Sequence, residues 1–264
     1  MKFNKKILKN GLRVITVPMK DNPTVTVLVM VEAGSKYETK EINGLSHFLE
    51  HMCFKGTTRR PKAIDISREL DTVGAQYNAF TSQEYTGYYA KADFKHLNLL
   101  LDVVSDMYLN PVFEDKEIEK EKGVIIEEIN MYEDLPHRKV QEIFMRLLYG
   151  DQPAGWDIAG TKENIKNIKR SNFLDYRRRH YVPSATTVVI AGKFDEKKTL
   201  SNIQKMWDDI IDGKKKGKVK TIESQAKPAV LLQHKDTDKT HLVLGVRSFE
   251  TYSKNNPAIK VLAA

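Results

Sequence analysis

The stretch Gly44-Leu45-Ser46-His47-Phe48-Leu49-Glu50-His51-Met52-Cys53-Phe54 decides how the rest of the chain is read. Asn43, a good N-cap residue, precedes it and Gly56 follows, so the spacing predicts one helix between them. Each helical residue turns about 100°, so with His47 at 0° Glu50 falls near −60° and His51 near +40°. All three polar side chains share one side of the helix. Two imidazoles at i and i+4 can grip one divalent ion from adjacent turns, and a carboxylate beside them can take a proton from water at that ion. With 7 histidines and 35 acidic residues in the chain, a shuffled sequence shows H-x-x-E-H roughly 2% of the time. The bland alternative is a surface helix with two solvated histidines. Leu45, Phe48, Leu49, Met52 and Phe54 argue against it, because polar groups on a largely apolar helix need partners. Cys53 points away from the histidine pair and reads as a small core residue.

A catalytic zinc takes three protein ligands and keeps one place open, so a further acid or histidine has to come from another element. A helix predicted over about Glu114–Tyr132 offers it. With Glu128 at 0°, the apolar residues Ile118, Val124, Ile125, Ile129 and Tyr132 fall between about −40° and +100°. Glu121, near +20°, and Glu128 lie within that arc, whereas Glu127, near −100°, lies outside it. Two acids turned toward a core need a cation. An acidic face answering the helix dipole suits Glu117 and Glu119 better than Glu128.

Outward from these helices, the 264 residues are 41% hydrophobic and 30% charged, with one cysteine. That length supports a real core, the apolar content excludes a disordered chain, and the single cysteine excludes an internal disulfide framework. No apolar run reaches the ~20 residues of a membrane span. The start, MKFNKKILKN, lacks the apolar core and cleavage site of a secretory signal, so a cytoplasmic location is expected. The net charge of +8 raises the question of nucleic acid or an anionic membrane. The lysines are dispersed, however, and the densest run, Lys214–Lys218, reads as a solvated tether; neither partner is expected.

Asn10-Gly11 signals a hairpin between Ile7–Leu8 and Leu12–Val17. Further strands are predicted over Thr24–Val31, Ala75–Thr81, Tyr85–Lys91 and Thr186–Ala191. Helices are predicted over about 63–73, 93–109, 137–149, 162–168, 171–180 and 196–211. Hairpins grouped with runs of helices imply an α+β fold with a mostly antiparallel or mixed sheet rather than an alternating parallel one. Ala229–Gln233 and His241–Val246 read as new strands, too few to form a domain alone. The division expected is a domain over 1–215, a linker over 216–227, and over 228–264 the start of a second, truncated domain.

At this point the sequence resembles the pitrilysin-type zinc peptidases, the inverzincins that include insulysin and the mitochondrial processing peptidase, and is most similar to bacterial processing-peptidase-like members. The likeness rests on GLSHFLEHMCFKGT (44–57), GAQYNAFTSQEYTGYYAKA (74–92), EKEKGVIIEEI (119–129), GWDIAGTKENI (155–165) and YRRRHYVPSATTVVIAGKF (176–194). It covers about residues 5–250. The resemblance implies that His47, His51 and Glu128 bind one Zn2+ per chain. It also implies that Glu50 is the general base and Glu121 a supporting acid. Asn78, Ala79 and Phe80 would lie on an edge strand to which peptide substrate adds as a further strand. Core packing is the other reading of Tyr77 and Phe80.

The implied fold is a sheet covered by helices on one face, followed by a related domain. A second domain, a partner subunit or a homodimer would close a chamber for unfolded peptide. The implied activity is zinc-dependent endopeptidase action; the alternative is a catalytically inert scaffold of the same fold, against which the intact motif argues. Acidic residues Glu84, Glu121, Glu127 and Glu133 suggest a taste for basic peptides.

Overall fold

Asn10 turns the chain between β1 (Asn4–Ile7) and β2 (Arg13–Pro18), its side chain accepting the Leu12 amide at 3.1 Å. This is the hairpin anticipated at Asn10-Gly11. The computed structural model describes residues 2–210, 212–236 and 238–263. The remaining strands are β3 (Thr24–Val31), β4 (Gln76–Thr81), β5 (Thr86–Asp93) and β6 (Thr186–Gly192). They form one six-stranded sheet in the order β1-β2-β6-β3-β5-β4. Only the β2–β6 pairing is parallel; β1–β2, β3–β5, β3–β6 and β4–β5 are antiparallel. The fold is therefore α+β with a mostly antiparallel sheet.

Valine at every second position of β3 explains which face is covered. Val25, Val27, Val29 and Val31 are buried, while Thr24, Thr26, Leu28 and Met30 on the other face are half-buried. The strand period of two sorts them. Against the buried face lies α3 (Leu97–Leu109), which inserts Leu100, Leu101, Val104 and Tyr108 over β3 and β5. The other helices are α1 (Leu45–Met52), α2 (Ala63–Thr72), α4 (Asp115–Glu133) and α5 (Pro136–Tyr149). After them come α6 (Lys162–Asn167), α7 (Arg170–His180), α8 (Glu196–Met206) and α9 (Asn256–Leu262). α8 packs on β2, and Trp207 just beyond it is fully buried, its indole N–H donating to Ser105 Oγ at 3.0 Å. Residues from Leu8 to Ile210 thus contribute to one core, while β1 itself is exposed. Met1 and Ile211, within the first domain expected from the sequence (Ile211 also within its last helix), and Thr237 and Ala264, within the expected second domain, lie outside the described residues.

Two expectations are corrected. The strands anticipated at Ala229–Gln233 and His241–Val246 do not form; Leu232, Leu242, Leu244 and Val246 remain exposed, Leu244 at 92%. A strand needs a neighbour to satisfy its backbone, and neither segment is paired with an edge of the sheet. Instead, residues 231–235 and 239–243 line a cleft with Val140, Ile143, Phe144 and Leu147 of α5. The lysine run is not a free tether either: Lys215 pairs with Glu32 and Lys218 with Glu84.

Candidate metal centre

α1 is short, and its N-terminus is held from a distance. Gly44, not Asn43, is its N-cap residue, in a left-handed conformation at φ 101°. An ideal Cβ there would lie 2.6 Å from the Ala159 carbonyl oxygen, so glycine is required on both counts. The Glu38 carboxylate accepts the Gly44 amide at 2.9 Å and the Ser46 amide at 2.6 Å. It also accepts the Asn43 side-chain amide at 3.0 Å. Asn43 is thus a brace for Glu38 rather than the cap predicted from its residue type. Burial pushes the Glu38 carboxyl above its ordinary value, against the pull of these hydrogen bonds. Leu45, Phe48, Leu49 and Met52 are buried, and Cys53 is fully buried with its sulfur 3.5 Å from the Tyr88 hydroxyl.

That burial turns His47, Glu50 and His51 toward α4 and β4, the elements against which α1 packs. His47 Nε2 and His51 Nε2 are 3.3 Å apart, and Glu128 Oε2 is 3.6 Å from each. Ligands 2.0–2.1 Å from a tetrahedral zinc lie about 3.3–3.4 Å from one another, so the three atoms have the spacing of three corners of such a site. His51 Nδ1 is 2.9 Å from Glu121 Oε1. With the proton on Nδ1, the Nε2 lone pair faces His47 and Glu128. Burial, then the neighbouring His51, push His47 down to about 4, so its imidazole is neutral and has a lone pair to offer. Converging acceptors of this kind suit a divalent cation, and a donor set of two imidazoles and one carboxylate suits zinc. No other trio of histidine, cysteine or acid meets at comparable range among the described residues.

Around the trio, each acid has a distinct anchor. Glu121, whose side chain is 5% exposed, also receives Lys55 Nζ at 2.6 Å. Burial raises the Glu121 carboxyl, but the bonds from His51 and Lys55 outweigh it and hold it below its ordinary value. Glu128 Oε1 accepts the Tyr132 hydroxyl at 2.5 Å. Glu50 Oε2 accepts the Thr81 hydroxyl, and burial raises the Glu50 carboxyl while that bond opposes it. Glu127 is exposed on the far side of α4. Val124 is 51% exposed and departs from the apolar arc expected of it.

β4 is the edge of the sheet on the side of α1. Tyr77 turns inward and stacks near Phe54 with ring centroids 6.5 Å apart. Asn78 is exposed, and its side-chain oxygen accepts the Ala79 amide at 2.9 Å. Phe80 covers Gly87 of β5: a Cβ on Gly87 would sit 2.3 Å from the Phe80 ring. Its ring is therefore spent on the sheet. The Ser82 amide bonds to the Tyr85 carbonyl, and hydrogen-bonded pairs alternate along an antiparallel ladder, so Phe80 and Asn78 turn their backbone groups to β5 and Ala79 turns its own to the open edge. The acids thought to favour basic peptides are mostly neutralised. Glu84 pairs with Lys36 and Lys218, Glu121 with Lys55, and Glu133 with Lys162.

Sequence reasoning does not single out Lys55, Thr81 and Tyr132 as partners of these acids. Tyr132 had a usable signal, standing four residues after Glu128 on one helix face. Thr81 had none, since its bond to Glu50 spans 31 residues.

Sheet order and side-chain geometry define an α+β domain with a candidate metal centre, and comparison with known proteins gives its family. Residues 13–162 match the family described as Insulinase (Peptidase family M16), and residues 167–264 match the Peptidase M16 inactive domain. A Bacillus subtilis protein named uncharacterized zinc protease YmxG is 37% identical over 92% of this chain and 58% of its own length. Uncharacterized zinc protease ML0855 of Mycobacterium leprae is 34% identical over 91% of this chain and 55% of its own. The fold is shared with a protease from Helicobacter pylori, at TM-score 0.78 and 24% identity, over 84% of this chain and 54% of that one. This chain belongs to the M16 family of pitrilysin-type peptidases. It spans between 55% and 58% of the length of these two curated relatives. No helix among the described residues is long and apolar enough to cross a membrane.

Proposed function

We propose that this chain carries the zinc-binding part of an endopeptidase that hydrolyses unfolded peptides laid along β4 as an added strand. The observation that carries the proposal is the meeting of His47, His51 and Glu128 beside Glu50. The names of the relatives, zinc proteases, agree with it.

His47 Nε2, His51 Nε2 and Glu128 Oε2 would hold the ion, and Glu121 fixes the ring of His51. Zinc at such a centre supplies Lewis acidity, making water a stronger acid and a carbonyl a better electrophile. Glu50 is the proton carrier. Its Oε2 is occupied by Thr81, and Oε1 makes no hydrogen bond among the described residues. Oε1 takes a proton from water as the water oxygen bonds to the scissile carbonyl carbon. It then passes that proton to the amide nitrogen as the C–N bond breaks, releasing an amine and a carboxylic acid, which gives up its remaining proton to solvent.

An extended peptide paired with the free edge at Asn78, Ala79 and Phe80 runs toward Thr81 and therefore toward Glu50. Backbone pairing asks little of the peptide's sequence. The remainder of the protein, a partner subunit or a second copy would close the site, and 1–215, 216–227 and 228–264 are the proposed domain, linker and start of the next domain.

Elemental analysis after zinc loading should find one zinc per chain, lost in His47→Ala. Glu50→Gln should keep the zinc and lose cleavage of an unstructured oligopeptide. Zinc without any peptide cleavage by the wild-type protein would favour the inert scaffold. A wild-type chain that takes up no zinc would sink both the site and the mechanism.

A further inference from the structure

We infer that Tyr132 is a positioning residue that restricts Glu128 to binding through one oxygen and so keeps a place on the ion open for water and substrate. The inference rests on the metal-site reading above. It starts from the unequal surroundings of the two Glu128 oxygens. Oε2 is 3.6 Å from both His47 Nε2 and His51 Nε2. Oε1 is turned to the Tyr132 hydroxyl, which donates to it at 2.5 Å. A carboxylate can bind a divalent ion through one oxygen or through both. Two imidazoles and one carboxylate oxygen leave the fourth position of a tetrahedral site free for water, whereas a second carboxylate oxygen would crowd that position and add a fifth ligand beside the water. A strong hydrogen bond to Oε1 opposes the rotation that would bring this oxygen round.

Tyr132 is built to hold that position. It lies one helical turn beyond Glu128 on α4, where side chains four residues apart meet. Its ring is clamped from the next helix: the Arg138 guanidinium carbon lies 4.1 Å from the ring centroid. A cation over the face of a phenol is attracted to it and draws electron density toward itself, which strengthens the hydroxyl as a donor. α5 begins at Pro136, so Arg138 stands in its first turn and is carried to the ring by the sharp connection from α4. Glu121, by contrast, fixes a histidine ring and is not among the three converging ligands.

Tyr132→Phe removes one oxygen and leaves the ring beneath Arg138, and circular dichroism checks that the fold is kept. Cobalt(II) replaces zinc as the probe, because its visible absorption weakens as coordination number rises. The wild-type chain loaded with cobalt should show the intense bands of a four-coordinate site. In Tyr132→Phe those bands should fall by about twofold or more, and zinc affinity, measured by competition with a chelator, should fall roughly ten- to hundredfold. An unchanged cobalt spectrum in Tyr132→Phe overturns the inference, whatever the affinity does, and leaves the metal site standing. Failure of the wild-type chain to take up cobalt or zinc overturns the metal site itself, and this inference with it.

Discussion

The hydroxyl of Thr81 donates to Oε2 of Glu50, so the last residue of the edge strand is tied to the acid between the two histidines. Under the proposed function, a peptide on β4 and the Glu50 proton carrier would share one rigid reference. In Thr81→Val the carboxylate loses this anchor while the strand keeps a β-branched residue. The expected result is a fall in kcat of about tenfold, equivalent to ~1.4 kcal/mol, with KM changed less than about twofold. Thr81→Ser should recover most of the loss. Steady-state kinetics on an unstructured peptide measures both; an equal rise in KM would place Thr81 in binding instead.

Lys55 acts on His51 through Glu121, which it meets at 2.6 Å. In Lys55→Met one oxygen of a nearly buried carboxylate loses its partner, and the acid is less firmly held against the ring. Zinc affinity should fall by roughly tenfold to a hundredfold, with recovery in Lys55→Arg. Equilibrium competition with a chelator reads this without any assay of activity.

Gly44→Ala tests the remote cap of α1. The new Cβ meets the Ala159 carbonyl at 2.6 Å and a backbone φ of 101°. Positive φ alone costs an L-residue about 1–2 kcal/mol, and the contact adds to it. A lower melting temperature together with weaker zinc binding is expected, since the strained helix carries both histidines. A variant with wild-type values of both would show that the loop at Ala159 yields.

Asp106 provides a test away from the centre. Its buried carboxylate accepts from Thr57, Arg59, Arg60 and Asn110, with Arg60 Nη1 at 2.8 Å. Burial pushes it up, but these donors prevail and hold it below its ordinary value of 3.8. A carboxyl depressed in the folded state stabilises above its unfolded value, and that contribution is lost as pH falls through the folded value. Urea midpoints should therefore drop on acidification below about pH 4. Asp106→Asn should flatten that drop and cost about 3 kcal/mol at neutral pH, because Arg60 is left without full compensation. Parallel acid limbs in variant and wild type would count against this role.

Much of the architecture is legible locally. The Asn10 turn, the alternating valines of β3 and the stops at Asn110-Pro111 and before Pro136 act over a few residues. The H-x-x-E-H spacing likewise shows that one helix face presents two imidazoles and an acid. Other features are not local. Valine content predicts β6 as a strand but not its insertion between β2 and β3, parallel to one and antiparallel to the other. The cap of α1 comes from Glu38 because burial of the Asn43–Ser46 turn leaves its amides no water to bond.

By itself the sequence determined which residues could chelate an ion, since helical periodicity places His47, Glu50 and His51 on one side of α1 and both Glu121 and Glu128 on one side of α4. Only the tertiary structure decided how the two acids divide their work. With α1 packed on α4, Glu121 reaches the outer nitrogen of His51 across 70 residues of chain, while Glu128 meets the inner nitrogens of both rings. That division depends on the angle and distance at which two helices pack, which is set by the whole apolar core beneath them rather than by any local run of residues.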